Sequence, residues 1–273
     1  LEATYFISNE GPKIFNLPVS TTSGYSSALV NGIKTQKKGL EISLTGTPLK
    51  NSNGLNWNIL ANYSTFVETL KEIYPGVASL NTFLKVGDRM DKFYGRAFVR
   101  TPDGQIINDA SGRPIYAPVS QYLGNMLPKF VFGLNNQFDY KGVNLSFQFD
   151  GRIGGVISNY VQKQTFRGGR HIDLVTGELG AARYQDYLGV KAWVGEGVQV
   201  ANGATIKYDA DGKVTNYAEL TYTPNTTKQF VQDWVSRYYN SDEGNLMSRS
   251  FGMLREVVLG YQIPQKWYGK TGI

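Results

Sequence analysis

The chain has 273 residues, and its 28 Lys and Arg residues outnumber its 22 Asp and Glu residues, which leaves a formal net charge of +6. It contains no cysteine and one histidine, His171, so disulfide frameworks, thiol nucleophiles and histidine-cluster zinc sites are excluded. The basic residues are scattered along the chain, which does not favour a nucleic-acid partner. No apolar run of about 18 residues occurs, so the sequence predicts no transmembrane helix.

A first hairpin is predicted around a polar turn at residues 50–54. Residues 40–45 alternate apolar and polar side chains, and residues 55–64 do the same, with Leu60 breaking the polar side. Alternation with a period of two is typical of a strand that has one apolar and one polar face.

A second hairpin is predicted over residues 129–153, with Lys141-Gly142 as a two-residue turn. In residues 143–153 no position on the polar side is apolar, and in residues 129–140 the exceptions are Asn136 and Val131. A two-residue turn sets the register, so the predicted pairs are Tyr140 with Val143, Phe138 with Leu145, and Leu134 with Phe149. The two apolar faces then coincide.

Further strands are predicted at residues 251–263 and 93–100, and residues 65–128 are expected to hold an even number of strands. The predicted strands are about ten residues long, which matches the 9–11 that cross a bilayer at a tilt. Alternation alone fits either the core of a soluble sandwich or barrel, or a lipid-facing barrel wall. Short turns combined with long connections, residues 65–128 and 154–250, favour an outer-membrane barrel.

The long connection 154–250 holds the candidate contact residues for a ligand or partner, which are Trp193, Trp234, Arg167 and Arg170. A short amphipathic helix is predicted over residues 227–239, with Thr226 or Thr227 as N-cap, because apolar residues recur at helical spacing. Its aromatic side chains would stack on a sugar or clamp a peptide. The alternative is that they pack the loop onto itself.

No catalytic residue, metal site or cofactor is predicted. His171 is interpreted as a loop residue, since no G-x-S-x-G motif supplies a nucleophile. The Asp-Gly segments at 103–104, 109–112 and 209–212 are typical of turns, although their oxygen-rich side chains also suit calcium. A hydrolase using Asp209 and Asp211 is a further alternative, but nothing sets two carboxylates across a cleft.

Four motifs resemble those of the SusC/RagA family of TonB-dependent outer-membrane transporters. Residues 31–41 resemble an N-x-G-x-x-x-N-K-G-x-E run, with the family's Asn before the Lys replaced. Residues 127–134 resemble a P-x-F-x-x-G-L strand entry, and residues 138–155 resemble an F-x-Y-K-G hairpin ending in G-x-x-G-G. Residues 254–264 are similar to the family's L-R-E-V-x-L-G-Y-x-L-P strand.

The resemblance implies an all-β fold, in which residues 1–273 form a late segment of a 22-stranded antiparallel transmembrane β-barrel with long extracellular loops. The segment is expected to be incomplete alone, with the plug and TonB box nearer the amino terminus of the whole protein. The implied location is the outer membrane of a Bacteroidota-type bacterium, in contact with lipid.

The implied function is TonB-dependent import of oligosaccharides or peptides, with a SusD-like surface lipoprotein as lid and no enzymatic activity. No family motif assigns ligand contact to a particular residue. The alternative function is that of a secreted carbohydrate-binding β-sandwich, which would account for the aromatic residues but not for the strand length or the motifs.

Overall fold

A computed structural model describes residues 1–80, 83–264 and 267 of the chain. The strands in these ranges are β1 (Glu2–Pro18), β2 (Ser27–Leu49), β3 (Asn56–Glu72), β4 (Lys92–Gly95), β5 (Ile107–Asn108), β6 (Gln121–Asn125), β7 (Phe130–Tyr140), β8 (Val143–Ile153), β9 (Val156–Ser158), β10 (Val198–Val200), β11 (Tyr222–Pro224), β12 (Leu246–Ser248) and β13 (Phe251–Tyr261). The α-helices are α1 (Tyr160–Arg167), α2 (Gly177–Tyr187) and α3 (Val231–Tyr238), and short 3-10 helices lie at Thr21–Ser23, Ile172–Leu174, Tyr217–Glu219 and Glu243–Asn245. The predominance of strands confirms the predicted all-β class.

The chain divides into two compact units. The first, which we call the sheet unit, comprises residues 1–92, 125–155 and the residues from 249 onward. The second, which we call the loop unit, comprises residues 93–124 and 156–248. The assignment of residues 1–273 to one transporter barrel domain stays a prediction.

The sheet unit contains a six-stranded antiparallel sheet in the order β1-β2-β3-β7-β8-β13. Strands β1 and β13 are its two edges, so the sheet does not close within the described residues. The sequence analysis missed β1, because Gly11-Pro12 interrupts its alternation and the pairing with β2 shifts between Glu10 and Lys13.

Both predicted hairpins are confirmed. The pairs Tyr140–Val143, Phe138–Leu145 and Leu134–Phe149 all form. Both turn residues have positive φ, 48° at Lys141 and 86° at Gly142, as a tight turn between twisted strands requires. Strands β2 and β3, with 23 and 17 residues, extend well beyond the predicted ten.

The expectation for residues 65–128 is wrong. Strand β3 continues to Glu72 and pairs directly with β7. Among the described residues, no further strand of this connection enters the six-stranded sheet, and the short strands β4, β5 and β6 make an odd number. The candidate strand 93–100 reduces to β4, which ends at Gly95; Phe98 and Arg100 make only isolated bridges.

The loop unit combines small sheets with three short helices. Strands β11, β10 and β5 form one sheet, and β12 pairs with β9. The predicted helix near residues 227–239 is confirmed as α3, but its N-cap residue is Phe230 rather than Thr226 or Thr227. The Asp186 carboxylate at the end of α2 instead accepts the N–H groups of Val231 and Gln232, each at 3.0 Å. No helix among residues 1–80, 83–264 and 267 has the length and hydropathy to cross a membrane.

Candidate functional site

One face of the six-stranded sheet is largely apolar from β2 to β13. The registers place Ile42, Tyr63 and Phe132 in one row across β2, β3 and β7. A second row runs across β2, β3, β7, β8 and β13 and consists of Leu44, Ala61, Leu134, Phe149 and Leu254. The alternation seen in single strands therefore adds up to a continuous surface.

Burial on β8 is the reverse of that in a soluble sheet. Its apolar residues Val143, Leu145, Phe149 and Ile153 are between 37% and 42% exposed, whereas the polar residues between them are half-buried. Soluble antiparallel sheets pack the apolar face on a core and leave the polar face to water. These apolar side chains of β8 are thus not covered by a core, which suits contact with lipid.

One polar residue on the apolar face, Asn136, has a specific partner. The Trp57 indole N–H donates to Asn136 Oδ1 at 3.1 Å, and Asn136 is buried. The Trp57 ring stacks on Phe138 at 5.6 Å between ring centroids, and Phe138 stacks on Phe147 at 5.8 Å. The hydrogen bond satisfies both polar groups, so an amide is tolerated on an apolar surface.

A charged cluster lies on the polar face of the long strands, far from the turn at 50–54. Lys13 Nζ is 2.9 Å from Glu10 Oε2 and 3.1 Å from Glu68 Oε1, and Lys37 also contacts Glu10. Because this cluster lies more than ten residues along β2 and β3 from their turn, these strands continue past the length that one membrane crossing uses.

In the loop unit, the predicted contact residue Trp234 lies in a hydrophobic core. It is 7% exposed and packs with Phe166, Leu174, Val231 and Val235. The other predicted tryptophan, Trp193, meets Trp234 edge-on at 5.4 Å and is partly buried against the same core. The two tryptophans therefore contact each other, and both pack in the hydrophobic core of the loop unit.

The predicted arginines lie close to each other in sequence and are exposed. Arg167 is the last residue of α1, and Arg170 follows the Gly168-Gly169 turn. Next to them, His171 stacks on Phe166 at 3.8 Å, and its Nδ1 accepts the Asp173 N–H at 3.3 Å to cap a 3-10 helix. The interpretation of His171 as a loop residue agrees with this geometry.

Buried amide side chains in the loop unit were missed by the sequence analysis. Asn225 Nδ2 donates to Gly195 O at 2.7 Å, and Gln229 Nε2 donates to Gly112 O at 2.6 Å. Asn108 Nδ2 donates to Glu196 O at 2.8 Å. Nothing in the local sequence distinguishes these amides from exposed ones, since their partners lie 30 to 117 residues away.

A cleft of about 560 Å³ is lined by residues of the paired strands β5 and β10 and of the segments that follow them. Its lining combines apolar side chains of Ile115 and Ile206 with the polar groups of Asn108, Gln199 and Tyr208. Burial raises the pKa of Tyr208, whose hydroxyl is protonated at neutral pH with or without this shift and can donate a hydrogen bond. Such a mixture of apolar walls and few polar groups is typical of small-ligand clefts.

The Asp-Gly segments form turns, as predicted. Gly104, Gly112 and Gly212 each donate a main-chain N–H back across the turn, to Thr101, Asp109 and Asp209 respectively. The Asp109 and Asp209 carboxylates accept main-chain N–H groups inside their own turns. No group of three or more potential metal ligands occurs in the part of the chain that the structure describes.

No protein-family model matches the chain. Among curated proteins of Formosa agariphila, the TonB-dependent receptor P26 is 27% identical over 188 residues, which are 58% of this chain and 19% of that protein. The TonB-dependent receptor P3 of the same organism is 20% identical over the whole chain and 26% of its own length. The chain thus spans about a fifth to a quarter of the curated relatives that it matches.

Solved structures of the RagAB peptide importer match 99% of the chain. The TM-scores are 0.57 for the closed-closed state and 0.62 for the open-open state, at 18% and 17% identity, over 28% and 27% of the matched chain. The resemblance to SusC/RagA-type TonB-dependent receptors is confirmed. The fold likeness covers both units, since nearly the whole chain aligns.

Proposed function

We propose that this chain is part of a TonB-dependent importer that carries peptides or oligosaccharides across the outer membrane of a Bacteroidota-type bacterium. The sheet unit would supply part of the barrel wall. Inside the bilayer every backbone polar group needs a partner, so the open edges at β1 and β13 would pair with further strands of the whole protein. The activity belongs to that whole protein.

The observation that carries the proposal is the apolar face of the sheet, whose β8 side chains are exposed. Exposed Val, Leu, Phe and Ile side chains on β8 are unfavourable in water, at roughly 25 cal/mol for each Å² of apolar surface, and are stabilised by lipid. The match to peptide importer structures and to receptors named as TonB-dependent supports this interpretation.

Partners follow from the family resemblance. A SusD-like surface lipoprotein would cover the extracellular mouth, and TonB would act through a segment nearer the amino terminus of the whole protein. The loop unit, built from the two long connections, would contact ligand or lid on the extracellular side. Within it, Arg167 and Arg170 are exposed and available for contact, whereas Trp193 and Trp234 would act by shaping the loop.

The lipid-facing role is tested with a matched pair of neighbouring residues in the full-length protein. Leu145 lies on the apolar face and Ser146 on the polar face of the same strand. Each is replaced by cysteine in a background free of other cysteines, labelled with a small fluorophore and reconstituted in vesicles with or without brominated lipid. We expect quenching at position 145 and little at 146. Equal quenching at both positions, or none at 145, would contradict the proposal.

Transport is tested separately in cells. Uptake of labelled peptides and oligosaccharides is measured with and without functional TonB, and proteins that co-purify with the full-length chain are identified by mass spectrometry. We expect TonB-dependent uptake of one ligand class and recovery of a SusD-like lipoprotein. Uptake that is indifferent to TonB would refute the mechanism while leaving the membrane placement intact.

The two alternatives receive no support from the structure. A carbohydrate-binding sandwich needs a second sheet packed on the apolar face, and the described part of the sheet unit contains one large sheet with exposed apolar residues on β8. A hydrolase needs two facing carboxylates, but Asp209 is engaged with the main chain of its own turn. The matched relatives are named receptors and importers rather than enzymes.

A further inference from the structure

A second cleft in the loop unit, of about 540 Å³, is lined by three arginines that the sequence analysis did not single out. They are Arg96, Arg113 and Arg237, which come from three separate segments of the chain. Tyr116, Asp233 and Asn240 also line the cleft. Its volume lies in the range of roughly 300–1,000 Å³ that small-molecule sites occupy.

Two of the guanidinium groups gather around one ring. The Arg237 Cζ atom lies 3.6 Å from the centre of the Tyr116 ring, and the Arg96 Cζ atom lies 5.1 Å from it. Arg237 Nε donates to Pro114 O at 2.9 Å, and the Tyr116 hydroxyl donates to the main-chain oxygen of Arg237. These contacts orient the Arg237 side chain before any ligand arrives.

The cleft carries an excess of positive charge. Arg113 faces Asp109 at 3.7 Å, but neither Arg96 nor Arg237 forms an ion pair with a carboxylate of the described residues. Asp233 is the only acidic residue among those that line the cleft. Two cations held near one ring repel each other, and an anion placed between them would relieve that repulsion.

The Arg96 backbone is held independently of the Arg96 guanidinium. Its main-chain N–H donates to Asp242 Oδ2 at 2.7 Å, and the nearby Phe98 N–H donates to Glu243 Oε2 at 2.6 Å. The guanidinium itself has one long hydrogen bond, 3.4 Å from Nη1 to Asn240 O. The side chain is exposed, so it can be replaced without disturbing the loop that presents it.

We propose that this cleft binds a carboxylate group of a ligand through the guanidinium groups of Arg96 and Arg237. Guanidinium is planar, remains charged at any physiological pH and matches the two oxygens of a carboxylate with paired N–H donors. The inference rests on the proposed function for the source of the ligand, which would be an acidic peptide or an oligosaccharide containing uronic acid. The recognised chemistry is the same for both.

The test is direct binding to the purified full-length protein in detergent, measured by calorimetry. The probes are a glutamate-containing pentapeptide, a uronic acid oligosaccharide, and a neutral counterpart of each. The variants are Arg96→Gln, Arg96→Lys and Arg96→Gln combined with Arg237→Gln. Lys228→Gln is the matched control, because Lys228 is an exposed cation of the same unit that does not line the cleft.

We expect at least one acidic probe to bind about tenfold or more tightly than its neutral counterpart, and Arg96→Gln to remove about tenfold in affinity. Arg96→Lys should restore part of this loss, the double variant should abolish the preference, and Lys228→Gln should leave it unchanged. The acidic probe that binds identifies the source of the carboxylate.

The inference is overturned if neither acidic probe is preferred, if Arg96→Gln and the double variant bind normally, or if Lys228→Gln weakens binding as much as they do. Its failure is distinguishable from failure of the proposed function. TonB-dependent uptake combined with no preference for acidic probes would overturn only the proposal that the cleft binds a carboxylate. Binding that depends on Arg96 and Arg237, combined with no uptake in cells, would support carboxylate binding in the cleft and refute the proposed import function.

Discussion

The sheet unit and the loop unit use amide side chains in opposite ways. In the sheet, Asn62 and Gln137 are exposed on the polar face. In the loop unit, Asn225 and Gln229 are buried, and both donate to the main-chain oxygen of Gly112. Asn and Gln side chains are thus exposed on the polar face of the sheet unit, whereas in the loop unit they are buried and hydrogen-bond to irregular backbone.

The difference follows from how each region satisfies its backbone. A sheet pairs its N–H and C=O groups along the strands, so its side chains are free to match the surroundings. Irregular segments have no such ladder, and their buried carbonyls need donors from side chains. The sheet unit should therefore depend on its surroundings and the loop unit on its own buried contacts, and four substitutions test this contrast.

The largest effect is expected for Trp234→Ala in the loop unit. Truncating a buried tryptophan costs about 3–5 kcal/mol, because a cavity replaces its contacts with Trp193 and Tyr238. Hydrogen exchange of the full-length protein should rise in loop-unit peptides and stay unchanged in β7 and β8. Tyr187→Ala, at an exposed aromatic residue of the same unit, is the control. Equal loss of protection in the strands would show that the two units unfold together.

The next effect is expected for Phe149→Arg on the apolar face. A lipid-facing arginine in a barrel strand costs roughly 2–4 kcal/mol near the bilayer midplane. Gln148→Arg places the same charge one residue away on the polar face and should cost much less. The free energy of unfolding from vesicles, measured by denaturant titration, distinguishes the two. Similar values for both variants would argue against a lipid-facing surface.

A smaller effect is expected for Asp186→Ala. This carboxylate accepts two N–H groups at the start of α3, and loss of such a cap costs about 0.5–2 kcal/mol. Exchange of amides at the beginning of α3 should accelerate, with the sheet unaffected. Asp211→Asn, at an exposed turn, should leave the exchange of α3 as it is. If both variants behave alike, the cap has no role.

The smallest effect is expected for Tyr239→Phe, and only at high pH. Burial raises the pKa of Tyr239 to about 12, and its ring stacks on Phe166 at 3.7 Å. Because the pKa in the folded protein exceeds the ordinary value of 10.0, the stabilisation is complete below pH 10 and is lost as the pH rises towards 12. Hydrogen exchange of α3, corrected for intrinsic rate, should depend less on pH in this range in the variant. The same pH dependence of exchange in Tyr239→Phe and in the unmodified protein would contradict the raised pKa of Tyr239.

Local sequence predicted the sheet well where alternation is continuous. Residues 130–153 specify two strands, a turn and a register, because side chains alternate every residue and a two-residue turn fixes the pairing. Strand β1 escaped prediction, since the irregularity between Glu10 and Ile14, which contains Gly11-Pro12, interrupts its alternation. Its strand conformation depends on pairing with β2.

The loop unit was predicted only in part, and for a different reason. Helix α3 carries its own apolar periodicity, so the sequence alone predicted a helix there. Its first N–H groups are capped by the carboxylate of Asp186, which is 45 residues away from Val231 and was not predicted. The buried amides and the tryptophan pair likewise depend on contacts between distant segments. No local pattern reports such contacts.

The sequence by itself determined which residues alternate, where the chain turns and which family the motifs resemble, because these properties depend on neighbouring residues. The tertiary structure decided that apolar side chains of β8 are exposed, why Asn136 is tolerated on the apolar face, and how Arg96 and Arg237 meet around Tyr116. Burial and charge clustering arise between segments that are far apart in sequence, such as those of Arg96 and Arg237, and only folding brings their side chains together.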